Sequence, residues 1–77
     1  MQYDNLGLFI KSKREKMYPE LSLNEFALNI GVDSSTLSKI ENQKQGMNKN
    51  TMVKFARGFK MLLSDFVKEY ELSDYSK

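Results

Sequence analysis

The side chains that most often carry enzyme chemistry are scarce in this sequence. Its 77 residues include no histidine and no cysteine, so the commonest general base, the commonest metal ligand and the thiolate cage of structural zinc sites are all missing. Asp65 and Glu69 stand four residues apart on a predicted helix surface, but no partner group in the sequence makes them a catalytic pair. The sequence therefore predicts no enzyme activity, no cofactor, no metal site and no evident small-molecule site.

A cluster of polar side chains in the middle of the sequence has the chemistry of a DNA-reading surface. Hydroxyl groups hydrogen-bond base edges, and a lysine ammonium commonly pairs with O6 and N7 of guanine in the major groove. These side chains lie on one face of the predicted third helix. Because no apolar residue lies on that face, it is free to enter a groove of DNA. The alternatives are an ordinary solvated helix surface and, for the first two serines, a role in starting the helix. These base-contact candidates are Ser34, Ser35, Ser38 and Lys39.

Charge is distributed unevenly along the chain. The net charge is +2 overall, yet residues 1–32 are neutral, residues 33–60 carry +4 and residues 61–77 carry −2. A basic middle segment suits binding to a polyanion, although a solvated helix surface has a similar composition. The N-terminal residues contain no unbroken apolar run, so we expect neither a signal peptide nor a membrane span, and a cytoplasmic location.

The elements that position these residues are predicted to be five short helices without strands. Apolar residues recur at helical intervals over residues 5–17, with Asn5 or Asp4 as a plausible cap and Pro19 beyond the end of this first helix. The pattern is typical of a compact all-α domain. We place this domain at residues 1–70.

The second and third helices lie close together in sequence. Ser22 and Glu25 form a predicted capping box at the start of the second helix, and Gly31 lies just past its end. We expect the carboxylate of Asp33 to cap the third helix, which runs to about Asn42. These two helices and their short turn span about residues 22–42.

The remaining sequence predicts two further helices and a short end segment. Asn48 is the expected cap of the fourth helix. Apolar residues from Leu63 to Tyr70 indicate a short fifth helix. We treat residues 71–77 as a short C-terminal tail.

Four residues in this central segment have the types and spacing that a helix-turn-helix needs. Two helices that cross at a steep angle need a small residue where they meet, and a glycine suits a left-handed turn. Two aliphatic residues on the second of these helices then pack it against the first. The residues that fit these structural roles are Ala27, Gly31, Leu37 and Ile40.

Four segments in the same order give the chain a resemblance to a known family. It resembles the lambda-repressor-like, Cro/C1-type helix-turn-helix proteins, also called XRE-type. The resemblance covers about residues 6 to 67. The segments that carry it are LGLFIKSKR (6–14), FALNIGV (26–32), STLSKIEN (35–42) and TMVKFA (51–56).

The resemblance implies a compact five-helix domain that binds double-stranded DNA with its third helix in the major groove. Such proteins are commonly homodimers on palindromic operators, and commonly repressors or autoregulators of transcription. The resemblance also implies that Arg14 and Glu41 bridge the first and third helices as structural residues. The segment at and after the end of the third helix is then expected to follow the phosphate backbone, with candidate contacts from Asn42, Gln43, Lys44 and Lys49.

A dimer is also expected because one module of this size buries little DNA surface. Some apolar residues near the end of the chain exceed what a five-helix core needs, which predicts an interface on the fifth helix and tail. They are Leu62, Tyr70, Leu72 and Tyr75.

The chain departs from the family pattern at several positions. Leu23 stands where the family often has a phosphate-anchoring glutamine. Lys60 stands where glycine often ends the fourth helix. Leu62 stands where a serine usually caps the start of the fifth helix, so we expect the fifth helix to fray or begin later. The link MYPEL between the first two helices is about two residues longer than usual.

Two other functions remain open from the sequence. One is an antitoxin-like or adaptor module whose main partner is another protein, which Leu23, Leu72 and Tyr75 support weakly. The other is an RNA-binding or nonspecific nucleic-acid-binding protein, which would show similar affinity for random duplexes. Sequence-specific DNA binding by a transcriptional regulator is the function that the pattern favours.

Overall fold

The computed structural model describes residues 5–76, and it folds them into five α-helices with no strand among them. This arrangement confirms the prediction of a compact all-α protein with five helices. No helix in this described range is both long and apolar enough to cross a membrane. The helices are α1 (Leu6–Met17), α2 (Leu23–Ile30), α3 (Ser34–Glu41), α4 (Lys49–Gly58) and α5 (Leu63–Leu72), followed by a short 3-10 helix (Asp74–Ser76).

Local sequence signals fix the ends of α2 and α4. The hydroxyl of Ser22 accepts from the backbone N–H of Glu25 at 3.1 Å, and the Glu25 carboxylate accepts from the backbone N–H of Ser22 at 2.8 Å. This reciprocal pair is the predicted capping box. Gly31 follows α2 in the left-handed conformation, with φ of 77°. Asn48 caps α4 by accepting from the N–H of Thr51 at 2.9 Å.

Two other predicted caps are wrong. Asp33 stands at the N-cap position of α3 but its carboxylate accepts no capping hydrogen bond. Because Asp33 is exposed, water can solvate both the carboxylate and the first amides of the helix. Asn5 precedes α1 with a left-handed backbone, φ 63°, and its side chain makes no cap either. The alternative cap, Asp4, lies outside the described residues.

Aromatic rings connect four of the five helices. Centroid distances between neighbouring rings lie between 5.4 and 6.1 Å along a chain of rings that starts just after α1, continues through α2, the residue just after α4, and α5, and returns to α1. Only α3 lacks an aromatic residue, and it enters the core through Leu37 and Ile40. We call this set the aromatic chain, and it consists of Tyr18, Phe26, Phe59, Phe66 and Phe9.

The end of the described chain folds back onto α1. Helix α5 extends through Leu72, and Tyr75 in the 3-10 helix packs edge-on against Phe9 at 6.2 Å. Tyr70 is buried in the core. The expectation that Tyr70 is spare apolar surface is therefore wrong, because the C-terminal half of α5 uses it to pack against Phe9.

Candidate nucleic-acid interface

A three-residue connection joins α2 to α3. The left-handed Gly31 reverses the chain, and the N–H of Val32 donates to the carbonyl of Ala27 at 3.0 Å. This bond satisfies a carbonyl at the end of α2 that would otherwise lack a partner. A connection of this length between two packed helices is typical of a helix-turn-helix.

The turn is also tied to α4. The ammonium of Lys54 donates to the carbonyl of Gly31 at 3.2 Å. The positive charge lies at the carboxyl end of α2, where the helix dipole favours a cation. This contact could not be predicted from the sequence, because a lysine on a helix surface gives no signal of which carbonyl it will reach.

The inner face of α3 is buried by the residues that the spacing singled out. Leu37 is fully buried, as are Ile40 and, on the facing helix, Ala27. Helix α1 packs on the same side of α3, and it does so through Gly7. A β-carbon at position 7 would overlap the Ile40 carbonyl oxygen, so only glycine allows this approach.

The outer face of α3 carries the base-contact candidates. Ser34, Ser35 and Lys39 are exposed. Ser38 is half-buried, and its hydroxyl accepts from the Asn42 side-chain amide at 3.3 Å. The Lys39 side chain makes no hydrogen bond or ion pair with any residue in the described range. The structure therefore brings three of the four candidates together on an open surface and places the fourth at its edge.

The phosphate-contact candidates surround the carboxyl end of α3. Gln43 adopts a left-handed conformation, φ 62°, and the N–H of Lys44 donates to the carbonyl of Lys39 at 2.8 Å, which ends the helix. The Gln43 side chain donates to Asn5 Oδ1 at 3.2 Å. Lys44 and, at the start of α4, Lys49 are both exposed.

A buried ion pair fixes α3 to α1. Arg14 donates through Nε to Glu41 Oε2 at 2.8 Å and through Nη2 to Oε1 at 3.0 Å, a bidentate arrangement. Both residues are buried, and the hydrogen bonds to Glu41 raise the pKa of Arg14 above its ordinary value. The expected bridge between these helices is thus present. It holds Glu41, the last residue of α3, on the side that faces α1.

Gly7 is a second residue that the sequence analysis passed over. A glycine inside a helical pattern lowers helix stability and often has a packing reason, so this position did carry a usable signal. Lys54, in contrast, carried none. The ion pair and the Gly7 contact hold α3 against α1, and Lys54 ties the turn between α2 and α3 to α4, while the polar face of α3 stays exposed.

Comparison with known proteins identifies no relative of this chain. No protein-family model matches the sequence, no curated protein matches it, and no solved structure matches the chain. Among residues 5–76 no group of acidic side chains could hold a metal ion.

Proposed function

We propose that this chain is a sequence-specific double-stranded DNA-binding protein of the lambda-repressor-like, Cro/C1-type family, and that it regulates transcription as a repressor or autoregulator. The observation that carries the proposal is the contrast between the two faces of α3. Its inner face is packed against α1 and α2, and its outer face presents Ser34, Ser35 and Lys39 to solvent. A helix that reads DNA needs both properties.

The dimensions of α3 suit the major groove. An α-helix with its side chains is about 10 to 12 Å in diameter, close to the width of the major groove, and the eight residues of α3 extend about 12 Å along the helix axis. The two serines at its N-terminal end would approach base edges first, and Lys39, one turn later than Ser35, would reach guanine. Serine bonds several bases, so Lys39 is the residue that we expect to contribute most to sequence preference.

The exposed lysines beyond α3 would hold the phosphate backbone. Lys44 and Lys49 flank the helix end, and neither forms an ion pair within the described chain. Contacts of this kind fix the register of the protein on DNA without reading sequence. They also make affinity fall with salt, because each contact releases condensed counterions.

A homodimer on a palindromic operator completes the proposal. In helix-turn-helix dimers the two half-sites lie about 34 Å apart, one turn of DNA. The domain measures 29 × 24 × 21 Å, so two copies side by side fit that spacing.

The second candidate function is a module whose main partner is another protein. Leu28 on α2 favours it, because this leucine is 82% exposed on the helix that precedes α3. Leu23 and Tyr75 no longer support it, since both are partly buried against the core. Binding to a partner protein without any shift of DNA would distinguish this function.

Selection from a pool of random duplexes at one stated salt concentration tests the proposal. We expect enrichment of one palindromic sequence whose two halves are centred about one helical turn apart. A scrambled duplex of the same length and composition is the control and should bind more weakly. Equal affinity for the two duplexes would reject sequence-specific recognition and favour a nonspecific nucleic-acid-binding protein.

A further inference from the structure

Asp33 is an exposed carboxylate that helix α3 does not use. It stands at the N-cap position, where an aspartate usually accepts a hydrogen bond from the second or third amide of the helix. Its backbone has the extended conformation of such a cap, φ −62° and ψ 141°, yet the side chain makes no capping hydrogen bond. Asp33 also forms no ion pair with any residue between positions 5 and 76. Water is therefore the partner of this carboxylate.

The charge of Asp33 is opposite to that of the segment around it. Residues 33–60 contain six basic side chains and only two acidic ones, Asp33 and Glu41. Glu41 is buried and paired with Arg14, so Asp33 is the one exposed carboxylate of this segment. It directly precedes Ser34 and Ser35, at the end of α3 that we expect to approach base edges. A negative charge there repels phosphates and weakens DNA binding unless it gains a contact of its own.

We propose that the Asp33 carboxylate accepts a hydrogen bond from the N4 amino group of cytosine and makes the protein select cytosine at one position of each half-site. An ionised carboxylate can only accept. In the major groove cytosine offers a donor, whereas guanine and thymine offer acceptors, and adenine places the acceptor N7 beside its donor. The proposal rests on the proposed DNA-binding function and names one base that the protein reads.

Removal of water at the interface would make Asp33 selective. Docking of α3 takes water away from the carboxylate, and a charged group that loses its hydrogen-bond donors is strongly destabilised. Cytosine N4 replaces the lost water, whereas O6 of guanine or O4 of thymine would face the carboxylate acceptor to acceptor. Selectivity then comes mainly from the penalty against the wrong bases. A serine hydroxyl both donates and accepts, so it would impose no such penalty.

A capping role that begins only on DNA is the alternative for Asp33. Serine is as good an N-cap as aspartate, so Asp33→Ser keeps the ability to cap and removes the charge. If Asp33 only caps α3, this variant should keep the base preferences of wild type. If Asp33 reads cytosine, the variant should lose preference at one position per half-site and should bind a scrambled duplex more tightly than wild type, because a repulsive charge is gone.

Selection from random duplexes with wild type and with Asp33→Ser, at one salt concentration, identifies the position. We expect a cytosine that wild type selects and Asp33→Ser does not. Fluorescence anisotropy with the four possible base pairs at that position then measures the preference. Wild type should bind the cytosine duplex at least about tenfold more tightly than the other three, and Asp33→Ser should bind all four within about twofold.

Two further variants sharpen the test. Asp33→Asn should shift the preference at the same position from cytosine to adenine, because an asparagine amide pairs with N6 and N7 of adenine. Asp65→Ser removes the same type of exposed carboxylate from α5, and it should leave the preference at every position unchanged. The melting temperature of Asp33→Ser should equal or exceed that of wild type, which separates a loss of base preference from a loss of folding.

The outcomes distinguish failure of this inference from failure of the proposed function. If wild type binds the operator and a scrambled duplex alike, both the DNA-binding function and the role of Asp33 fail. If a palindrome is selected but Asp33→Ser keeps the wild-type preference at every position, DNA binding stands and the inference is overturned. A preference for a base other than cytosine at the position that responds to Asp33, or a cytosine preference that survives in Asp33→Asn, would also overturn it.

Discussion

The carbonyl oxygen of Ile40 lies where the β-carbon of any other residue at Gly7 would be. This contact joins the backbones of α1 and α3 without an intervening side chain. About two turns further along α1, Arg14 joins the same two helices through a buried ion pair with Glu41, the residue that follows Ile40. Helix α3 is thus positioned by a steric contact and a charged contact that both come from α1.

Substitution Gly7→Ala should destabilise the fold. The added methyl group forces α1 and α3 apart, and overpacking of this kind costs about 1 to 3 kcal/mol. Gly46→Ala is the control, because nothing lies within 4 Å of a β-carbon there, and we expect a change within about 0.5 kcal/mol. Urea denaturation of both variants measures the free energy of unfolding, and equal stabilities would contradict the close approach.

Substitution Arg14→Ala should destabilise the protein by about 3 to 5 kcal/mol, because it leaves Glu41 buried without its partner. Lys13→Ala removes the ion pair with Glu69, whose side chain is 43% exposed, and the contact of the Lys13 ammonium with the Phe59 ring, and should cost about 1 to 2 kcal/mol. The loss in Arg14→Ala, measured by urea denaturation, should therefore be clearly the larger. Similar small losses in both variants would show that the buried pair does not anchor α3.

The pH dependence of the Arg14 contribution follows from its pKa. Hydrogen bonding to Glu41 raises this pKa in the folded state, so the stabilisation from the guanidinium charge is fully present below the unfolded-state pKa and is lost only as the pH rises through the folded value. Both values lie far above neutrality. The guanidinium part of the Arg14→Ala effect should consequently be the same at about pH 6 and about pH 9.

Substitution Lys60→Gly should stabilise the protein by about 0.5 to 1 kcal/mol. Lys60 follows α4 in a left-handed conformation, φ 59°, which costs a residue with a β-carbon about 1 to 2 kcal/mol, partly offset by the greater entropy of glycine in the unfolded chain. Thermal denaturation checks this effect. Gln43→Gly relieves the same backbone strain but loses a hydrogen bond to Asn5, so its gain in stability should be smaller. A Lys60→Gly variant less stable than wild type would contradict this explanation.

Substitutions Lys39→Ala and Lys44→Ala should affect DNA binding differently. Loss of a guanine contact by Lys39→Ala should cost about 1 to 3 kcal/mol on the selected operator and remove preference at one base pair per half-site. Lys44→Ala should weaken all duplexes alike and reduce the salt slope by about two for a symmetric dimer. Lys11→Ala, an exposed lysine on α1, is the control and should change neither.

Fluorescence anisotropy with the operator and a scrambled duplex at equal salt compares these variants. Equal losses on both duplexes for Lys39→Ala would assign Lys39 to a phosphate. Unchanged binding to both would mean that the outer face of α3 does not enter the groove.

Short-range signals account for the parts of the fold that the sequence predicted best. The capping box of Ser22 and Glu25 and the Asn48 cap depend on residues three apart, so the local sequence nearly determines them. Gly31 was predictable because a left-handed turn strongly favours glycine. The Asn5 cap failed because its left-handed backbone, a property of the folded chain, turns its side chain toward Gln43 instead.

Contacts between distant residues were harder to predict. Arg14 and Glu41 are 27 residues apart, and only the family resemblance suggested their pairing. The burial of Tyr70 depends on where the end of the chain packs, which no local pattern specifies. The base-contact candidates were identifiable from helical periodicity, but the support that Lys54 and Gly7 give to α3 depends on tertiary packing.

The aromatic chain divides the protein into regions of unequal local stability. Its rings tie α1, α2, α4 and α5 to one another and omit α3, which has no aromatic residue. Opening α3 therefore breaks aliphatic packing and the Arg14 to Glu41 pair but leaves the rings stacked. Native-state hydrogen exchange should show the amides of α3 exchanging through a sub-global opening, at lower free energy than those of α1 and α4. Helix α3, which we propose to read DNA, would then be a separate cooperative unit, and its protection from exchange should rise when the protein binds DNA.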